Sequence, residues 1–296
     1  MIENFIKDSN IEYYQDISLK KYNTYRIDTK CKYLFFPKNR EELIELIKYL
    51  KNNKIKYLVL GNGSNIIFSK EYYDSVIIKL DRLKNMKVLD NIIEVEAGYS
   101  LIKLSLDTAK LSLSGLEFAS GIPGNIGASI AMNAGAYNHS LGEIVESVEV
   151  LDPSYNIITM KKEELNFSYR DSIFKKNKNY IIISAKIKLT KSNTKEILEI
   201  IEKRRLRRIE TQPLEYPSAG SVFRNPENMH AGALIEECGL KGYSIGGAKV
   251  SEKHANFIVN YNEATGDDII NLINHIKEKV YDKYKVKLIL EQIIID

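Results

Sequence analysis

Hydrophobic residues recur along this chain at two spacings, and each spacing predicts its own kind of element. From Arg40 to Leu50 the apolar positions Leu43, Ile44, Ile47 and Leu50 fall on one helical face. Helical spacing returns at Gly98–Ala109, through Ile102, Leu106 and Ala109, and at Thr194–Ile209. It appears again at Thr265–Val280, where Ile269, Ile273, Ile276 and Val280 form a stripe and Thr265 is a candidate N-cap. Short β-prone runs predict strands at Tyr57–Leu60, Ile66–Phe68, Val76–Leu80, Ile92–Ala97, Val145–Leu151, Ile157–Met160, Tyr180–Leu189 and Lys287–Ile295. This mixture predicts the α+β class. There is no internal repeat. A polar break at Lys191–Thr194 predicts a boundary, giving parts 1–190 (broken again near 70–80) and 191–296.

Two segments break the pattern. Gly61-Asn62-Gly63-Ser64-Asn65 directly follows a buried-type strand. Consecutive small residues let backbone N–H groups approach a pyrophosphate, although taken alone a tight turn between strands is the plainer reading. Neither a Rossmann fingerprint nor a P-loop is present, because Ile66 stands at the third glycine position and no Gly-Lys-Ser/Thr follows. Gly115–Tyr137 holds a second loop, Gly121-Ile122-Pro123-Gly124-Asn125-Ile126-Gly127-Ala128, and then Asn133-Ala134-Gly135-Ala136-Tyr137. Two such loops suggest two walls around an elongated ligand.

Composition narrows the classes. Hydrophobic residues make up 44% and charged residues 28%, ordinary globular values. No apolar run approaches the roughly 18 residues of a membrane span, and Met1–Asp8 lacks the pattern of a signal peptide. The expectation is a cytoplasmic protein with two unpaired thiols, Cys31 and Cys238. A net charge of +4 is too balanced to imply nucleic acid. The basic run Lys203–Arg208 reads as the polar end of a helix, where cations suit the dipole. No Cys/His cluster has metal spacing, so no metal is expected.

Candidate chemistry is sparse. Arg170, in Tyr169-Arg170-Asp171-Ser172, is most simply a surface ion-pair partner of Asp171, but a guanidinium could also polarise a carboxylate. Ser221 follows Gly220, yet Ala219 and Phe223 stand where a nucleophile elbow needs glycine. Cys238 closes a helix whose C′ residue is Gly239.

Taken in order, these motifs resemble the UDP-N-acetylenolpyruvoylglucosamine reductase family. The matching blocks are Asn23-Thr24-Tyr25-Arg26, Leu60–Asn65, Gly121–Gly124 through Asn133–Tyr137, Tyr169–Phe174, Pro217–Pro226, His254–Phe257 and Lys287–Glu291. The resemblance implies an FAD-binding fold of the vanillyl-alcohol-oxidase/PCMH type over 1–190, with a substrate-binding α+β domain over 191–296. It implies non-covalent FAD, NADPH as co-substrate and a UDP-sugar substrate; beside it stand the expectations of no nucleic-acid or membrane partner and of a monomer. FAD would be held by Tyr25, Gly61, Asn62, Gly63, Ser64, Asn65, Gly121, Ile122, Pro123, Gly124, Gly127, Ala128, Ser129, Asn133, Gly135 and Ala136. Substrate would meet Tyr169, Asn225 and His254, with Arg205, Arg207, Arg208 and Lys249 as candidates near its phosphates. Catalysis would fall to Arg170 and Glu291 at the substrate carboxylate and to Ser221 as proton donor. A different non-covalent flavoenzyme of the same fold is the alternative.

Two departures from the family pattern stand out. Only about fifty residues separate Arg170 from Ser221, which resembles the shorter subtype lacking a long tyrosine-bearing insertion. Gln292-Ile293 follows Glu291 where relatives often carry valine and a basic residue.

Overall fold

The computed structural model describes residues 2–296. The chain groups into two compact units, each discontinuous in sequence. Unit one holds residues 1–15, 33–61 and 75–205, and unit two holds 16–32, 62–74 and 206–296. The helix that begins at Thr194 starts in unit one, and the last change of unit falls at 205/206.

Unit one is built on an antiparallel five-stranded sheet ordered Ile157–Lys161, Val145–Leu151, Ile181–Lys188, Ile92–Glu96, Met86–Leu89. Its alternating strands bury one face, as in Ile93 and Val95, while Glu94 and Glu96 remain partly exposed. The helix Arg40–Asn52 buries Leu43, Leu46, Ile47 and Leu50 in the same unit's core, and the Asn39 side chain caps its first turn by accepting from Glu42 N–H. The expected helix at Gly98–Ala109 is present as Leu101–Lys110, started by Ser100 as N-cap.

Unit two packs the helices Ala231–Glu237 and Gly266–Tyr284 with a three-stranded sheet, Ser244–Ile245, Ala248–Val250 and Ile258–Asn260. Thr265 caps the long helix through a capping box with Asp268. Gly239, at φ +73°, is the C′ residue of the shorter one.

The tail departs from expectation. The apolar run predicts a strand over Lys287–Ile295, and only Ile293–Ile295 forms one, parallel to Ile66–Phe68. Before it, Leu290 makes an isolated antiparallel bridge to Phe223. The tail changes partner at Glu291–Gln292, so one uninterrupted ladder cannot form. Both cysteines are unpaired, and burial pushes the Cys31 thiol up to about 12. Among the described residues no helix is long and apolar enough to cross a membrane.

Candidate active site

In unit one the first glycine loop begins where the strand Tyr57–Leu60, parallel to Val76–Lys79, runs out. Lys79 is buried, and its ammonium donates to the Gly61 carbonyl at 2.6 Å and lies 3.3 Å from the Asp81 carboxylate. Burial pushes this ammonium below its ordinary value, and Asp81 opposes the shift. No peptide bond is cis among the described residues. In a trans peptide the C=O and N–H point opposite ways. Fixing the Gly61 carbonyl therefore turns the Asn62 N–H away from Lys79. A Cβ on Gly61 would come within 2.6 Å of Ala128 Cβ and 3.0 Å of Asn125 Oδ1. The two glycine loops thus meet at a point only glycine can occupy.

The second loop uses many of its donors internally. Ile122 N–H donates to Ala119, Gly124 to Ile122, Ile126 to Tyr99, Gly127 to Ala97, and Ala128 to the Asn125 side chain. Four of these residues, Ile122, Gly124, Gly127 and Ala128, were expected at the cofactor. Instead they shape the turn, and Gly121, Ile122 and Pro123 form its accessible part while Gly124, Gly127, Ser129 and Gly135 are buried. Ala136 sits in a short hairpin opposite His139. Asn133 donates to Ser168 O and accepts from Gly142 N–H, both at 2.8 Å, which ties this wall to the segment carrying Tyr169 and Arg170. Tyr169 is 60% exposed, with the Arg170 guanidinium 5.5 Å from its ring centre. Asp171 pairs with Lys176 at 3.1 Å, which holds its carboxyl below the usual range.

In unit two the Gly63 carbonyl accepts from Thr24 N–H at 3.1 Å, so the Ser64 N–H in the same peptide plane faces the other way. Exposed Asn62 and part-exposed Ser64 thus offer small, donor-bearing backbone, which fits a pyrophosphate better than a bulky apolar ligand. Asn65 reaches the tail: its side chain donates to Glu291 O, and its carbonyl accepts from Ile293 N–H.

Ser221 follows Gly220, whose φ of +74° calls for glycine even though nothing crowds its missing Cβ. Val222 donates to Asn256 O at 2.9 Å and accepts from Glu291 N–H at 2.8 Å. The buried Asn256 carboxamide holds both backbone groups of Phe223, at 3.0 and 2.9 Å. Ser221 and Glu291, each half-buried, therefore lie on adjacent, cross-bonded segments. Asn225 is exposed, its side-chain Oδ1 accepting from Ala231 N–H at the helix start. His254 Nδ1 accepts from Asn256 N–H at 3.2 Å, and burial pushes the imidazole below its ordinary value. Lys249 pairs with Glu252 at 3.1 Å, and Arg205, in unit one, with Glu202 at 2.7 Å.

Tyr25 corrects an expectation. It was expected against the cofactor, yet it is 0% exposed within the core of unit two, its hydroxyl 3.0 Å from Gln292 Oε1. Burial raises the phenol above its ordinary value, so it stays a donor. Unit one thus carries Gly61, the residues of 121–136, Tyr169, Arg170 and Arg205, and unit two carries the rest. Sequence reasoning missed Lys79, Asn256 and Gln292 as parts of this arrangement. Lys79 leaves no signal, Asn256 lies unremarked inside the block His254–Phe257, and Gln292 shows as an oddity in the tail.

A family model described as FAD binding domain matches residues 31–161, which puts this fold and its two glycine loops in a flavin-binding class. A second, described as UDP-N-acetylenolpyruvoylglucosamine reductase, C-terminal domain, matches residues 212–295. The chain is 44% identical over 290 residues to the UDP-N-acetylenolpyruvoylglucosamine reductase of Caldanaerobacter subterraneus subsp. tengcongensis, covering 98% of this chain and 95% of that one. It is 41% identical to that of Caldicellulosiruptor saccharolyticus, covering 97% and 93%. The crystal structure of the Thermus caldophilus reductase superposes with a TM-score of 0.82 at 32% identity, covering 97% and 99%. The chain belongs to the UDP-N-acetylenolpyruvoylglucosamine reductase family.

Proposed function

We propose that this chain reduces UDP-N-acetylenolpyruvoylglucosamine to UDP-N-acetylmuramate, with NADPH as reductant and non-covalent FAD, in peptidoglycan precursor synthesis. Bound FAD, held by the glycine loops at 61–65 and 121–128, would supply hydride chemistry toward the vinyl C3 of the substrate, with NADPH as the reductant. Residues 1–190 serve the cofactor and also lend Tyr169 and Arg170 to the substrate, 191–296 serve the substrate, and the enzyme works as a cytoplasmic monomer without nucleic acid.

The chain's own residues handle what hydride arrival leaves behind, which is negative charge on C2 and its carboxylate. Arg170 offers that carboxylate two parallel N–H donors. Glu291 is the second group assigned to that carboxylate. Ser221 gives its hydroxyl proton to C2. Tyr169, Asn225 and His254 contact the substrate, and His254 does so as a neutral imidazole whose Nδ1 is already an acceptor.

The observation that supports this reading is the pairing of Glu291 N–H with Val222 O, which runs the segment carrying Ser221 alongside the segment carrying Glu291. Ser221→Ala tests it. Flavin reduction by NADPH needs no proton on C2 and survives. Reoxidation of the flavin by the enolpyruvyl substrate falls ~10²–10⁴-fold, the usual loss for a positioned general acid. Stopped-flow traces showing equal slowing of both half-reactions would remove Ser221 from the mechanism.

A further inference from the structure

We propose that Gln292 is a positioning residue for proton delivery, acting by fixing the backbone that carries Ser221. The inference rests on the reading that Ser221 supplies the proton to C2.

Gln292 is 4% exposed, although glutamine is a residue that ordinarily faces water. Its carboxamide Nε2 donates to Ala219 O at 3.1 Å and Gly220 O at 3.3 Å. Its Oε1 accepts from the enclosed Tyr25 hydroxyl at 3.0 Å. Both ends of the amide are thereby assigned, because a flip would set Oε1 against two carbonyl oxygens and the amino group against a donor.

The two peptide planes flanking Ser221 have different restraints. The plane after it is held by Val222 N–H donating to Asn256 O at 2.9 Å. The plane before it belongs to Gly220, whose φ is +74° and whose would-be Cβ has nothing within 4 Å. A glycine without packing is the freest hinge a chain can have. The amide of Gln292 supplies the hydrogen bonds to that hinge and to the carbonyl just before it. With both planes fixed, the serine hydroxyl keeps rotation about χ1 alone. The residue preceding Gln292 is Glu291, itself tied to Val222 and Asn65. One buried amide thus holds the proton donor's backbone from the segment that carries the carboxyl.

A misplacement of about 1 Å in a catalytic group costs on the order of 10²-fold. Gln292→Leu should therefore slow flavin reoxidation by UDP-N-acetylenolpyruvoylglucosamine ~10–100-fold, with reduction by NADPH changed less than about twofold. In the apoprotein, amide hydrogen exchange of residues 219–222 should rise. Tyr25→Phe/Gln292→Leu removes the stranded hydroxyl, so it should recover thermal stability without recovering the rate. Gln292→Met, of similar length, is read the same way should the leucine variant fail to fold. Combined with Ser221→Ala, Gln292→Leu should add little further loss.

Reoxidation within about twofold of wild type in Gln292→Leu or Gln292→Met would overturn the inference. So would recovery of rate together with stability in the Tyr25→Phe double variant, since that is the mark of a structural role alone. If Ser221→Ala is slow and the Gln292 variants are not, only this inference falls. If Ser221→Ala is itself unaffected, the reading of Ser221 falls and takes this inference with it.

Discussion

The glycine segment of unit one and the serine segment of unit two are fixed by opposite means. At Gly61 the backbone is held by what is missing: there is no Cβ, so Ala128 and Asn125 can close in. At Ser221 it is held by what is present, since the carboxamides of Asn256 and Gln292 grip the main chain on either side of it. The first device fails when atoms are added and the second when atoms are removed. A close steric approach tolerates no intermediate state, whereas a hydrogen-bond clamp can loosen by degrees. That suits a loop meant to be a fixed surface in one case and a segment carrying a reacting hydroxyl in the other.

The sharpest way to break the contrast is Gly61→Val. Overpacking against Ala128 should cost about 3 kcal/mol, read as ~100-fold weaker FAD binding by the apoprotein in a fluorescence titration. The smaller Gly61→Ala should be partly rescued by Ala128→Gly in the same chain, whereas Ala128→Gly should do nothing for variants of the serine segment. Asn256→Ala should strand the N–H and C=O of Phe223 and cost about 2 kcal/mol of stability by denaturant titration, with FAD affinity nearly unchanged. A loss of FAD affinity as large as that of Gly61→Val would erase the distinction between the two segments.

The smallest effect concerns pH. Burial depresses the folded-state value of His254 below its ordinary 6.5. The unfolded chain then takes up the proton first as pH falls. Stability from this residue is complete above about 6.5 and declines on acidification through the window down to the folded value. His254→Phe should flatten that part of the Tm-against-pH curve, and a curve identical to wild type would show the imidazole contributes nothing there.

Legibility in the sequence follows the same divide. Glycines that must be glycine announce themselves by residue type, and both loops stand out from the amino-acid order alone. The helix Gly266–Tyr284 is legible because its apolar stripe and its Thr265 cap agree. The strand Glu12–Ser18 is not, because it is mostly exposed and polar and owes its form to pairing with Lys30–Phe36. Gln292 is legible only as an anomaly. Its partners are a phenol 267 positions away and carbonyls 72 and 73 positions away, and backbone carbonyls leave no mark in a sequence. The roles of Tyr25 and of the five internally used N–H groups are hidden for the same reason, since side-chain identity does not say which way a donor points.

The bond from Asn65 to Glu291 spans 226 positions. A ribosome adding ~5–20 residues per second needs on the order of ten seconds or more to cover that distance. Until the tail is made, the serine segment has neither its amide clamp nor its neighbouring carboxyl. A nascent chain can therefore acquire its glycine surface before residues 291 and 292 are made, and its proton-donating geometry only after them. Catalytic competence thus waits on the synthesis of residues 291 and 292.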